Sequence, residues 1–313
     1  MERVFVLGAL GMKRVALSFL LLLALAGASC AENLIHMGVL GFLGTTEAKF
    51  QAGLDFFRDS IPQGYSERVQ NSGFVRSLRT DGREIHFFGS LMRLVMSLRS
   101  GKIDEAMVPE DVGRYLVGIN SELEVKYMSE VFKSRISFAF RKEDTALKAE
   151  FDRAIESMDE DGTIEELAAK FIHSAGYRNP APVRPQIFPD ADTVTVAVTG
   201  DMPPIDMFAG DGKPAGFNTA MLAEIGRRIG KNIRLINVEA GARNSALFSG
   251  RADVVFWYRT VEISINDSRH KSEPVFIDAP DGVILSEPYY SWDREMILQV
   301  AEATGFWGMF RRK

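Results

Sequence analysis

"LRSGKID" spans residues 98–104 and "LFSGRAD" spans residues 247–253. The pattern Leu-x-Ser-Gly-(Lys/Arg)-x-Asp therefore occurs twice, about 150 residues apart, in a chain of 313. Before the first copy, Leu91, Leu94, Val95 and Leu98 recur at helical spacing. The turn itself reads as a helix that stops at Ser-Gly, where glycine takes a positive φ at little steric cost. Lys102 or Arg251 would complement the helix C-terminus. The closing Asp104 or Asp253 would begin a strand that returns into a sheet. Taken alone this is common helix-to-strand loop chemistry. Its repetition predicts one crossover of the same construction in each half of the chain.

The segments around the two copies fit that reading. "LIHMGVLGFLG" (34–44) and "GREIHFFGS" (82–90) read as strands, and Phe50, Leu54 and Phe57 mark a helix between them. "EVKYM" and "ISFAFRK" are further strands. A helical pair follows, split by "DEDG", with Leu147, Phe151 and Ile155 on the first helix. Thr163 and Glu166 read as a capping box for the second helix. Residues 176–192 hold four prolines without periodicity and read as a linker. The alternation restarts with "TVTVAVTG", a helix capped by Asn218 and ended by Gly230, the strand "IRLINV", and "ADVVFWY". Strand–helix alternation in both halves predicts an α/β chain, each lobe a mostly parallel sheet flanked by helices.

Composition excludes little. Hydrophobic and charged fractions of 46% and 25% are those of an ordinary globular protein, and the length suits two medium domains. A net charge of −5 argues against a nucleic-acid binder. At the N-terminus, Lys13 and Arg14 precede "VALSFLLLLALAGASC", the layout of an export signal, so residues 1–29 are set apart from the fold. Cys30, the sole cysteine, stands where a lipidated cysteine would follow such a signal; plain cleavage after Ala28 is the alternative. The expectation is an exported protein in the periplasm or at the cell surface, anchored to membrane through Cys30 if that residue is lipidated.

Residues 193–238, with Pro203-Pro204, Asp211-Gly212-Lys213, Gly216-Phe217-Asn218 and Gly230, resemble the opening of the family 3 extracellular solute-binding proteins of polar amino-acid ABC importers. "LFSGRAD" and "SEPYY" (286–290) are similar to later landmarks of that family. "MGVLGFLGTT" (37–46) and "FAFRKEDTALKAEFDRAIESMDEDGTIEELAAKF" (138–171) resemble its other lobe and its C-terminal segment. The resemblance implies a two-lobed, type II periplasmic-binding-protein-like fold with the lobes in circularly permuted order. Residues 30–175 would form one lobe with the C-terminal helices, 193–300 the other, and 301–313 a tail, with 294–300 crossing back beside 35–41. Two incomplete modules without a shared cleft are the rival reading.

A cleft receptor needs hydrogen-bond partners that replace a ligand's hydration, with apolar walls between them. Gly44-Thr45-Thr46, a glycine turn feeding a helix start, would offer free N–H groups and hydroxyls to a carboxylate. Ser90 opens another helix and serves either as a cap or as a contact. In the other lobe the candidates are Asp201, Met202, Phe217, Trp257, Tyr258, Arg259 and Thr260. Asp206 lies in the same turn as Asp201. The family's carboxylate-gripping Arg position holds Ile265, and its ammonium-accepting Asp position holds Pro109, leaving Arg259 and Glu110 as substitutes. No catalytic residue, metal site or cofactor is expected. The four histidines (36, 86, 173 and 270) show no metal-ligand spacing. The resemblance implies a monomeric receptor passing a small polar ligand to an ABC permease. The alternatives are a sensing or degenerate module without a transporter, and a dehydratase-like enzyme on the same fold.

Overall fold

The computed structural model describes residues 34–40, 83–129, 132–174, 183–263, 275–277 and 279–301. The export signal with Cys30, Gly44-Thr45-Thr46, the helix expected at Phe50–Phe57, residues 175–182 and 302–313 lie outside them.

In chain order the first lobe contributes β1 (Ile35–Leu40), β2 (Arg83–Phe88), α1 (Leu91–Arg99), β3 (Glu105–Pro109), α2 (Glu110–Ile119) and β4 (Leu123–Ser129). Then come β5 (Phe132–Arg141), α3 (Thr145–Glu160) and α4 (Thr163–Phe171). The second lobe runs β6 (Thr193–Val198), β7 (Met207–Phe208), β8 (Pro214–Ala215), α5 (Phe217–Ile229), β9 (Asn232–Asn237), α6 (Arg243–Phe248) and β10 (Val254–Ile263). It is followed by β11 (Val275–Ile277), β12 (Val283–Leu285), β13 (Tyr290–Trp292) and β14 (Glu295–Val300).

The two large sheets have one plan. The first is ordered β2-β1-β3-β14-β4 and the second β9-β6-β10-β5-β12. In each, the first three strands are parallel, and the fourth is antiparallel and comes from elsewhere in the chain. β5, which follows the first lobe, enters the second sheet. β14, which follows the second, enters the first. Ile297 pairs with Met107, and Met107 pairs with Val39, so β14 and β1 share a sheet with one strand between them. The chain is thus a two-lobed α/β fold whose lobes exchange strands.

The repeated turn closes both lobes with the same hydrogen bonds. Gly101 and Gly250 each sit at φ 72°. Each donates its N–H to a carbonyl three residues back, Leu98 or Leu247, at 3.1 Å. The Asp then clamps the first strand of its sheet. The Asp104 N–H donates to the His36 carbonyl (2.8 Å) while the Asp104 carboxylate accepts from the His36 N–H (2.8 Å). Asp253 does the same to Thr195, at 2.8 and 2.9 Å. One residue thereby mimics an extra rung of parallel ladder, satisfying a donor and an acceptor that would otherwise be orphaned.

Three local expectations are corrected. Lys102 and Arg251 are exposed. The cation at the end of α6 is instead Arg141 of β5, whose Nη1 donates to the carbonyls of Leu247 and Ala252 at 3.0 and 2.9 Å. Thr163 is the first residue of α4, and the preceding Asp161 accepts from both its N–H and its hydroxyl. Asn218 lies inside α5, fully buried, where it accepts a hydrogen bond from the Tyr289 hydroxyl at 2.9 Å.

The second lobe's core is aromatic. Phe151 of α3 meets Phe138 and Phe140 of β5 edge-on, at 5.3 and 5.2 Å between centroids, and Phe138 stacks on Tyr289 at 4.4 Å. That packing binds β5 and the helix after it to the second lobe. Removing such a buried ring typically costs about 3–5 kcal/mol.

The clamp makes a direct prediction. Asp104→Ala and Asp253→Ala each remove the carboxylate that accepts from a strand N–H while leaving the backbone bond to the carbonyl in place, and each should lower the urea-unfolding free energy by about 1–3 kcal/mol. Asp253→Ala should cost more, because Asp253 also pairs with Arg141 (3.3 Å). Equal losses, or none, would show that the clamp is incidental.

Candidate functional site

The carboxyl ends of the parallel strands of both sheets converge on one tyrosine pair. From the first lobe, β3 ends at Pro109 and α2 begins with Glu110 and Asp111. From the second, the turn after β6 leads through β7 and β8 to Phe217 at the start of α5. Tyr290, on β13, touches both. Its hydroxyl donates to Asp111 Oδ2 at 2.6 Å, and its ring lies 5.1 Å from that of Phe217. Tyr290 also pairs with Ile136 on β5, so it sits beside the crossing strands. Small-molecule sites in open α/β sheets form at the carboxyl ends of strands, where the strand order reverses. Both sheets have that reversal at their first strand.

The second lobe's side of the site is a buried charge cluster in the turn Thr199–Asp206. The Thr199 hydroxyl and N–H donate to Asp206 Oδ2, at 2.9 and 3.2 Å. Arg243, at the start of α6 and 1% exposed, reaches Asp201 Oδ1 through Nη2 at 2.5 Å and also contacts Thr199 Oγ1. The turn is closed by a Met202–Asp206 bridge and contains a cis Pro203–Pro204 bond. Burial, reinforced by the charge of Asp201, pushes the Asp206 carboxyl up to about 6, against the pull of Arg243 and the Thr199 hydrogen bonds. One cation thus faces two carboxylates, of which Asp206 keeps its proton into mildly acidic conditions.

On the first lobe's side Glu110 is already engaged. It accepts from Arg114 Nε and Arg294 Nε, each at 2.9 Å. Asp111 beside it is raised chiefly by burial, with the Tyr290 hydrogen bond opposing.

The other expected site residues separate into three groups. Met202 and Phe217 are fully buried and Trp257 nearly so. Tyr258, Arg259 and Thr260 continue β10, with a register shift against β5 between Tyr258 and Thr260; their side chains lie outside the described residues. Ser90 caps α1, accepting from the Arg93 N–H at 3.4 Å. Arg243, Thr199 and Tyr290 were not singled out from sequence, although Tyr290 lies within "SEPYY". A separate open groove of about 1030 Å³ lies behind the tyrosines, between them and α3 and α4. Asp152, Glu156, Asp159, Glu165 and Glu287 make it acidic.

Residues 194–275 match the model of the bacterial extracellular solute-binding proteins, family 3. The matched stretch is about a quarter of the chain. It contains Thr199, Asp201, Asp206, Phe217 and Arg243, the whole second-lobe side of the site. Among solved structures, the periplasmic VFT2 domain of Bordetella pertussis BvgS is similar over 86% of this chain and 81% of its own, at 14% identity and TM-score 0.34. A ligand-binding component of an ABC-type import system from Staphylococcus aureus, with zinc bound, is similar over 86% and 66%, at 9% identity and TM-score 0.37. These likenesses are distant, and the two-lobed architecture is read from the strand order itself.

The Asp206 environment sets a pH dependence. A carboxyl raised from 3.8 to about 6 holds its proton more tightly folded than unfolded. Its contribution to stability is therefore full below pH ~4 and is lost as pH rises through about 6. Asp206→Asn should remove that fall. Between pH 4 and 7 the variant should lose less unfolding free energy than the parent, by up to about 3 kcal/mol in urea titrations. Parallel pH profiles for the two proteins would refute this.

Proposed function

We propose that this chain is an extracytoplasmic solute receptor of family 3 type, which captures a small polar ligand between its lobes and delivers it to an ABC permease. The observation that supports this best is the convergence of both sheets' carboxyl ends on Tyr290, beside the crossing strands β5 and β13–β14. Closure about such a hinge removes a ligand from water without any catalytic group. A circularly permuted lobe order is part of the proposal. Read from residue 193, through β14 into the first lobe and back through β5 to α4, the chain would run in the family's usual order; the antiparallel entry of β14 into the first sheet and of β5 into the second supports this reading. Lipidation at Cys30 would hold the receptor at the membrane.

The ligand is proposed to be an amino acid or a related small carboxylate. Glu110 is held by two arginines and Ile265 replaces an arginine, so the usual grip on both ends of an α-amino acid is altered. Gly44-Thr45-Thr46 and Arg259 are proposed to serve the carboxylate, and Asp201 with Arg243 to orient the polar remainder.

A thermal-shift screen with amino acids, short peptides and organic acids tests the reading. A true ligand at 100 times its dissociation constant adds about 2.7 kcal/mol to the stability of the folded state. The melting temperature should rise for one chemical class, and the rise should shrink in Asp201→Asn and in the Thr45→Ala/Thr46→Ala double variant. No shift with any class would sink the receptor assignment.

A further inference from the structure

Outside the cleft, the parallel pairing of β1 and β2 brings together two histidines that lie 50 residues apart. In the register, His36 stands opposite Glu84, and Gly38 stands opposite His86. Strand alternation puts all three side chains on one face. Gly38 has no side chain to fill the place across from His86. An added Cβ there would meet Leu94 and Ile103 at 2.4 Å, so the position is closed to anything larger. The His86 ring therefore leans toward His36, with centroids 5.2 Å apart.

The donor atoms converge. His36 Nδ1 lies 3.0 Å from His86 Nε2 and 3.4 Å from Glu84 Oε2, and His86 Nε2 lies 3.8 Å from Glu84 Oε1. Metal–nitrogen bonds of about 2.0–2.1 Å in a tetrahedron put neighbouring donors roughly 3.3 Å apart. The three separations bracket that edge, so small rotations about the side-chain bonds complete a face. The backbone behind the first ligand is rigid, because the Asp104 clamp holds His36 at both its N–H and its carbonyl. Side-chain exposures of 40%, 51% and 35% for His36, Glu84 and His86 leave the open side of that face to solvent. The second lobe supplies an internal contrast. There the residues at the places of His36 and Glu84 are Thr195 and Arg234, joined by an Arg234 Nη2–Thr195 Oγ1 hydrogen bond of 2.8 Å.

We propose that His36, Glu84 and His86 form a binding site for a divalent transition-metal ion, with water or an external donor in the remaining position. Two imidazoles and a carboxylate suit Zn²⁺, Ni²⁺ or Cu²⁺ over Ca²⁺ or Mg²⁺. The site lies near the amino end of β1, about 13 Å of strand from the carboxyl end that faces the cleft. A metal there would tie the edge strand β2 to β1, and it would not compete with a ligand between the lobes.

The test uses the full chain without a polyhistidine tag, stripped with EDTA. Zn²⁺ is titrated by calorimetry, and Co²⁺ by the visible d–d bands of a tetrahedral site. One ion per chain is expected, with affinity falling roughly tenfold or more in His36→Ala, His86→Ala and Glu84→Gln. His173→Ala should bind as the parent does. Circular dichroism in EDTA checks that each variant is folded, and the near-isosteric Glu84→Gln carries the result if a histidine variant is not. Equal binding by parent and Glu84→Gln, or no saturable binding by the parent below about 1 mM, would overturn the site.

Discussion

Each lobe is completed by a strand that the chain delivers from outside it. β5 pairs antiparallel with β10 over eight positions, and β14 pairs antiparallel with β3 over four and with β4 over six. β5 covers the open ladder of β10 and brings Phe138 and Phe140 against Phe151 of α3, all three fully buried. The aromatic core, the seat of α3 and the anchoring of Arg141 on the end of α6 all follow from that one pairing. In the first lobe β14 separates β3 from β4 and carries Met296, Ile297 and Leu298 into the core. The strands that pass between the lobes therefore lie inside the sheets.

The same geometry organises the charges. Where the strands end, the backbone leaves the sheet and its polar groups need partners. The second lobe meets this need with Thr199, Asp201, Asp206 and Arg243, and the first with Glu110, Asp111, Arg114 and Arg294. Buried ion clusters are costly unless each charge is paired and hydrogen-bonded. Here each cation faces a carboxylate, and burial raises the Asp206 carboxyl to about 6. Tyr290 is bonded to Asp111 of the first cluster and packs on Phe217 of the second lobe, so it joins the two lobes directly.

Much of the architecture was legible in the sequence. Apolar periodicity and the twice-used Ser-Gly turn mark the helices, the returning strands and the lobe count. Asp201 and Asp206 could be placed because a turn directly after a buried strand leaves few directions open. Other residues resisted for identifiable reasons. Arg243, at a helix start, reads like any surface arginine until α6 is docked on the sheet. Arg141 caps a helix more than 100 positions away, so no local pattern reveals it, and Lys102 and Arg251 were natural decoys. Thr163 and Asn218 carry the chemistry of caps, but the helices are capped upstream of them, by Gly162 and by Gly216. His36 and His86 meet only through strand register, which is fixed by packing and not by spacing.

The reciprocal strand exchange also limits how this molecule can be divided. A fragment ending near residue 129 would keep β1 to β4 yet lack the strand that lies between β3 and β4, leaving two bare edges over an apolar face. A fragment starting at residue 183 would lack β5 and expose β10 in the same way. Such edges invite pairing with any extended chain nearby, including other copies of the fragment. The two halves should behave as a single cooperative unit, and their coexpression should rescue solubility that neither possesses by itself.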